Sequence, residues 1–142
     1  MKRRVAFLIV FCLMFSIVSL PSHALHQENN PEWVIKPMFT YIDFFQSYFC
    51  ITSTGRAEMD AFVYSTRNID QAGVKICLQQ KKNGVWTTIK SWSKIEDGTS
   101  CGLGKAWYVD KGHLYRLVAY GYVYIDGVMV ESTYTTSKTH DY

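Results

Sequence analysis

Three groups of residues in this 142-residue chain have the types that catalysis or binding requires. The first is His113 with Asp110 and Glu131, an imidazole and two carboxylates that would suit a metal ion if strand pairing gathered them. His113 and Asp110 flank a Lys111-Gly112 turn, where both residue types are commonly solvated. The reading favoured here is a turn, with no metal and no cofactor. The second group is Glu58, Asp60, Asp110 and Glu131, from which a glycosidase pair could be drawn. Such a pair must sit roughly 5–9 Å apart in a cleft. No GxSxG elbow, CxxC pair or GxxxxGK[ST] phosphate loop is present, so no catalytic residue is assigned and the expectation is a non-enzyme.

The third group is the tyrosines of HLYRLVAYGYVYI (113–125). Strict alternation puts Arg116, Val118, Tyr120, Tyr122 and Tyr124 on one face, and Tyr115, Leu117, Ala119, Gly121, Val123 and Ile125 on the other. The second set is nearly all apolar and is the core face. The ladder Tyr120, Tyr122 and Tyr124 is then a candidate ligand surface able to stack sugar rings. Its rival is ordinary cross-strand packing, because tyrosine is favoured in strands and its hydroxyl reaches water. Tyr64 and Trp86 extend that surface if their strands neighbour it.

The elements that must position these groups are strands. Edges fall near 40–53, 57–66, 74–80, 85–93, 105–110, 113–125 and 128–136, with Asn83-Gly84 and Asp126-Gly127 as hairpin turns. Residues 94–105 (KIEDGTSCGLGK) read as a glycine-rich loop, and 138–142 as a frayed tail. Short strands separated by turns predict an all-β protein: a single β-sandwich of about seven strands over 39–137, compatible with an immunoglobulin-like order.

Ahead of the sandwich, Lys2, Arg3 and Arg4 precede an apolar run from Val5 to Leu20, then Pro21 and Ser22-His23-Ala24. That is the layout of a signal peptide cleaved after Ala24, and the run is shorter than the roughly 20 residues a membrane span needs. Residues 25–38 form a polar, proline-bearing arm. Of the 15 basic residues three lie in the leader, together with none of the 12 acidic ones, so the remainder is balanced. No concentrated basic footprint is left for a nucleic acid. The expected location is secreted or extracellular, with cell-wall association.

Cys12 belongs to the leader, leaving Cys50, Cys77 and Cys101. Export permits a disulfide, and an odd count leaves one thiol free or joined to a second chain. Loop length does not separate Cys50–Cys77 from Cys77–Cys101; the glycine-rich setting of Cys101 favours Cys77–Cys101. A monomer and a disulfide-linked dimer both stay open.

The segments CLQQKKNGVWTTIKSW (77–92), VDKGHLYRLVAYGYV (109–123) and GVMVES (127–132) resemble small secreted proteins of Gram-positive bacteria grouped as a family of unknown function. The likeness rests on Leu78-Gln79, Trp86, Lys111-Gly112 and Tyr115-Arg116, and spans roughly residues 50–135. It implies a signal peptide followed by one β-sandwich, and it supports Tyr115 as a core residue. It carries no catalytic residues. The functional expectation is a non-enzymatic binding module whose partner is an extracellular protein or a cell-envelope glycan. Alternatives are a carbohydrate-binding module using exposed tyrosine and tryptophan, a secreted effector or inhibitor, a structural envelope component and a small secreted hydrolase.

Overall fold

Alternation of period two runs through nearly every segment from residue 44 onward, and the strands follow it. The structure, a computed structural model, describes residues 38–142; the leader and the arm up to residue 37 lie outside the described residues. Eight strands follow in order: β1 (Phe44–Ile51), β2 (Arg56–Tyr64), β3 (Gln71–Lys82), β4 (Val85–Asp97), β5 (Ser100–Tyr108), β6 (Leu114–Ile125), β7 (Val128–Thr136) and the short β8 (His140–Asp141). They form two antiparallel sheets, β1-β2-β5 and β4-β3-β6-β7, with β8 pairing the start of β6. In immunoglobulin lettering the sheets read A-B-E and C′-C-F-G. The chain is an all-β sandwich of that order.

Both hairpins of the larger sheet close as the sequence requires. Asn83 and Gly84 have φ of 49° and 82°, and Asp126 and Gly127 have 51° and 73°. Two successive positive φ values make the type I′ turn, whose twist matches that of the strands it joins.

The core lies between the sheets. Ala57, Met59, Ala61 and Val63 of β2 meet Val74, Ile76 and Leu78 of β3 and Tyr115, Leu117, Ala119 and Val123 of β6. Gly121 is where the sheets come closest: a Cβ there would stand 2.8 Å from a Phe45 ring carbon and 3.2 Å from a Val63 methyl. Tyr115 is 1% exposed. Its hydroxyl donates to the Asp110 carbonyl at 2.9 Å and accepts from Gln80 Nε2 at 3.1 Å. A tyrosine early in strand F bonded to backbone just upstream is the tyrosine corner of such sandwiches, pinning the crossover from β5 to β6.

Three boundaries differ from the sequence expectation. Residues 94–105 are not a loop: β4 runs on to Asp97, the chain turns at Gly98 and Thr99, and β5 begins at Ser100. Gly102 and Gly104 lie on the outward side of β5, where Phe62 and Asp60 of β2 cover them in place of side chains of their own. β3 starts at Gln71, three residues ahead of the edge expected at 74. Residues 140–142 are tied down: β8 pairs with Leu114 and Tyr115, Tyr142 exchanges two backbone hydrogen bonds with His113, and its ring lies over Gly55.

Candidate functional site

The outer face of β3, β6 and β7 is built by the alternation that builds the core. Each outward tyrosine of β6 has a neighbour on both sides: Tyr120 sits between Lys75 and Tyr134, Tyr122 between Gly73 and Ser132, and Tyr124 between Gln71 and Met129. The Tyr120 and Tyr122 rings are stacked 4° from parallel with centroids 6.3 Å apart, and Tyr134 lies 6.0 Å from Tyr120. Tyr134 is 70% exposed, while the three β6 tyrosines are half-buried. Gly73 explains part of that cover: Tyr124 and Ile95 lean over the space a side chain would fill. Burial, followed by the neighbouring phenols, pushes the Tyr122 hydroxyl above its ordinary range, so it is a neutral donor in ordinary buffers. The result is an aromatic surface with hydroxyls and one amine, able to pack against a ring face or an apolar side chain while hydrogen-bonding at its rim.

Tyr134 joins this surface although it was not among the residues expected there. Its signal was visible as alternation within VMVESTYTT, but only the register of β7 on β6 brings it beside Tyr120.

Trp86 shares this outer face without joining the tyrosines. It pairs with Lys81, six residues along β3 from the Lys75 beside Tyr120, which at about 3.3 Å per residue is roughly 20 Å. Its ring is covered by Arg116, whose guanidinium carbon lies 4.3 Å from the centroid and whose Nε donates to Gln79 at 2.8 Å. Tyr64 does not extend the surface at all. It is on the outer side of the other sheet, between Phe44 and Ser100.

The cysteines are placed against the Cys77–Cys101 pairing. Cys50, Cys77 and Cys101 are all free thiols. Cys77 lies on the outward side of β3, opposite Ser91 and Val118, whereas Cys101 is 1% exposed inside the core from β5. The backbone of the larger sheet stands between the two side chains, so no adjustment of a loop could join them, and Cys101 is in a strand rather than a loop. Burial first, then the Glu96 carboxylate, pushes the Cys101 thiol up to about 11, and burial raises Cys77 as well. A thiol held neutral and buried resists oxidation, so neither of these two needs a disulfide partner.

The acidic candidates are dispersed. Glu131 turns inward from β7, and its carboxylate accepts the backbone N–H groups of Thr40, Tyr41 and Ile42 at 2.8, 2.9 and 2.7 Å. Desolvation works to raise its pKa, but the three hydrogen bonds together outweigh it and hold the carboxyl below its ordinary value. It clamps the chain entering β1. Asp110 supplies a carbonyl to Tyr115, and His113 is exposed at the turn, bonded through its backbone to Tyr142. Among the described residues no three His, Cys, Asp or Glu side chains gather closely enough to hold a metal ion.

Glu58 and Asp60 do stand side by side, on the outer face of the smaller sheet. Because β5 offers only Gly104 and Ala106 there, a groove of about 390 Å³ opens beside them, lined also by Arg56, Met59 and Lys105. Arg56 occupies Glu58 through a 2.7 Å ion pair. The Gly-x-Gly-x-Ala alternation of residues 102–106 was the sequence signal for this groove.

No family model matches the chain, and no curated protein matches it. Solved structures do. One is a glycosyl hydrolase family 2 member from Bacteroides cellulosilyticus DSM 14838, at TM-score 0.42 and 11% identity, over 67% of this chain and 15% of that one. Another is a protein from Archaeoglobus fulgidus, at TM-score 0.39 and 9% identity, over 71% of this chain and 97% of that one. The chain thus spans 15% of the length of the glycosyl hydrolase structure it resembles.

Proposed function

We propose that this chain is a secreted, non-enzymatic β-sandwich that acts as a binding module at or outside the cell envelope, engaging a glycan across the outer face of β3, β6 and β7. One observation carries the reading: Tyr120, Tyr122 and Tyr134 form a contiguous aromatic row on the face turned away from the core, and Tyr134 is 70% exposed. Aromatic rings beside hydrogen-bonding groups suit a ligand with an apolar ring face and polar rim. The leader-like residues 1–24 and the likeness to small secreted Gram-positive proteins supply the compartment in this reading.

The test is retention of the chain recovered from a secreting host on a glycan array that includes isolated cell wall. Binding to one glycan class, lost in Tyr120→Ala and Tyr134→Ala variants that melt within a few degrees of the parent, supports the proposal. A parent retained on nothing, or variants retained as well as the parent, overturns it. Mass spectrometry of the same material should find an N-terminus at Leu25.

A further inference from the structure

A β-sandwich has open sheet edges, and this one guards them unequally. β4 carries Lys90 and Lys94, and its ladder with β3 breaks at Leu78 and Gln79. β5 carries Lys105, and the amine of Lys90 lies 4.0 Å over the Trp107 ring on that strand. Lysines and bulges are the devices by which edge strands refuse a foreign strand. β7 is irregular where Val123 and Tyr124 meet it, and residues 40–42 are fastened to its Glu131. β1 has none of these. Phe44–Ile51 contains no charge, proline or glycine, pairs with β2 over its whole length without a register shift, and has no second strand partner among the described residues. Its outward side presents Phe44 at 45% and Tyr48 at 58% exposure, beside Tyr64 of β2 at 39%.

We infer that β1 is a homotypic docking edge: two copies of this chain pair β1 with β1, antiparallel about a two-fold axis, joining their smaller sheets into one. A second copy fits better than a foreign strand for reasons of charge and symmetry. The edge is neutral, so it neither selects a charged peptide nor repels itself. Antiparallel partners directly opposite must share a face, so the axis falls on a residue of β1. Every such register sets the outward Phe44, Gln46, Tyr48 and Cys50 against outward residues of the other copy. The apolar rings now exposed are then covered across the axis. Isologous pairing also uses the edge in both copies and closes the assembly as a dimer. The surface lies on the sheet opposite the tyrosine row and is independent of the ligand proposed there.

Sedimentation velocity in the micromolar range, on the full chain as recovered from a secreting host, tests the inference. The parent should sediment as a dimer. Gln46→Lys and Tyr48→Lys each place like charges near one another across the axis and should weaken dimerisation by about tenfold or more. Both positions are exposed, and melting curves check that both variants fold. Tyr134→Lys, on the β7 edge, should leave the dimer intact. A monomeric parent, a dimer that survives both β1 lysines, or one dispersed by Tyr134→Lys alone overturns the inference.

Discussion

Replacing Tyr115 with phenylalanine removes one oxygen from the centre of the sandwich, and the structure says what that oxygen does. It donates to the Asp110 carbonyl at 2.9 Å and accepts from Gln80 Nε2 at 3.1 Å. Asp110 is exposed, so its carbonyl can turn to water at little cost. Gln80 is only 7% exposed, and its amide would lose its partner where water is scarce. No buried side-chain nitrogen or oxygen among the described residues lacks a partner at present, so the variant creates the first. A stranded buried donor costs about 1–3 kcal/mol, and the lost bond to Asp110 adds up to about 1. The expected loss is therefore about 2–3 kcal/mol, or a fall in Tm of roughly 8–15 °C for a domain of this size. Urea denaturation should show a lower midpoint with unchanged slope. Adding Gln80→Leu removes both partners, and the double variant should be less destabilised than the two single losses combined. Burial, then the Asp110 charge, holds the Tyr115 phenol above its ordinary value of 10.0. The folded state therefore keeps the proton longer than the unfolded one. That stability is complete below about pH 10 and lost as pH rises through the folded pKa, and the phenylalanine variant should lack this part of the alkaline decline. A Tyr115→Phe protein within about 0.5 kcal/mol of the parent, a value below any single hydrogen-bond loss of this kind, would sink the tyrosine-corner argument.

Other outcomes follow from the same packing. Glu131→Gln should cost about 2 kcal/mol by weakening the clamp on residues 40–42, measured by urea titration. Because the folded carboxyl sits below its ordinary 4.5, its contribution is full above that pH and fades as acid takes the pH down through the folded pKa; the variant should lose that acid dependence. Gly121→Ala should destabilise by about 1–3 kcal/mol in a thermal melt, because the added methyl meets Phe45 at 2.8 Å. In the folded chain, a thiol reagent should label Cys50 rapidly and reach Cys77 and Cys101 only on unfolding; a Cys77–Cys101 peptide in a non-reducing digest would refute that placement.

The tyrosines of β6 show how far local pattern reaches. Parity alone separates Tyr115 and Gly121 from Tyr120, Tyr122 and Tyr124, because neighbouring side chains of a strand must leave on opposite faces. The same parity sets Cys77 with Lys75 and Gln79, away from Val74 and Ile76. Applied to the cysteine question, it argues against a bridge to any core residue. The Asn83-Gly84 and Asp126-Gly127 turns were legible for an equally local reason, the cost of positive φ to other residues. Residues 94–105 were misread because glycine usually marks a loop. Here Gly102 and Gly104 serve a strand whose outer side borrows cover from Phe62 and Asp60.

What the sequence by itself determined, then, is class and facing: an all-β chain, its Asn-Gly and Asp-Gly hairpins and the two sides of β2, β3 and β6. Only the tertiary structure decided which strands are neighbours. Register brought Tyr134 beside Tyr120, kept Trp86 far along the face and sent Tyr64 to the opposite sheet. It gave Glu131 three backbone partners from residues about ninety positions away. The physical reason is that alternation is a property of one strand, whereas adjacency is settled by which apolar faces bury one another, a choice made across the whole chain at once.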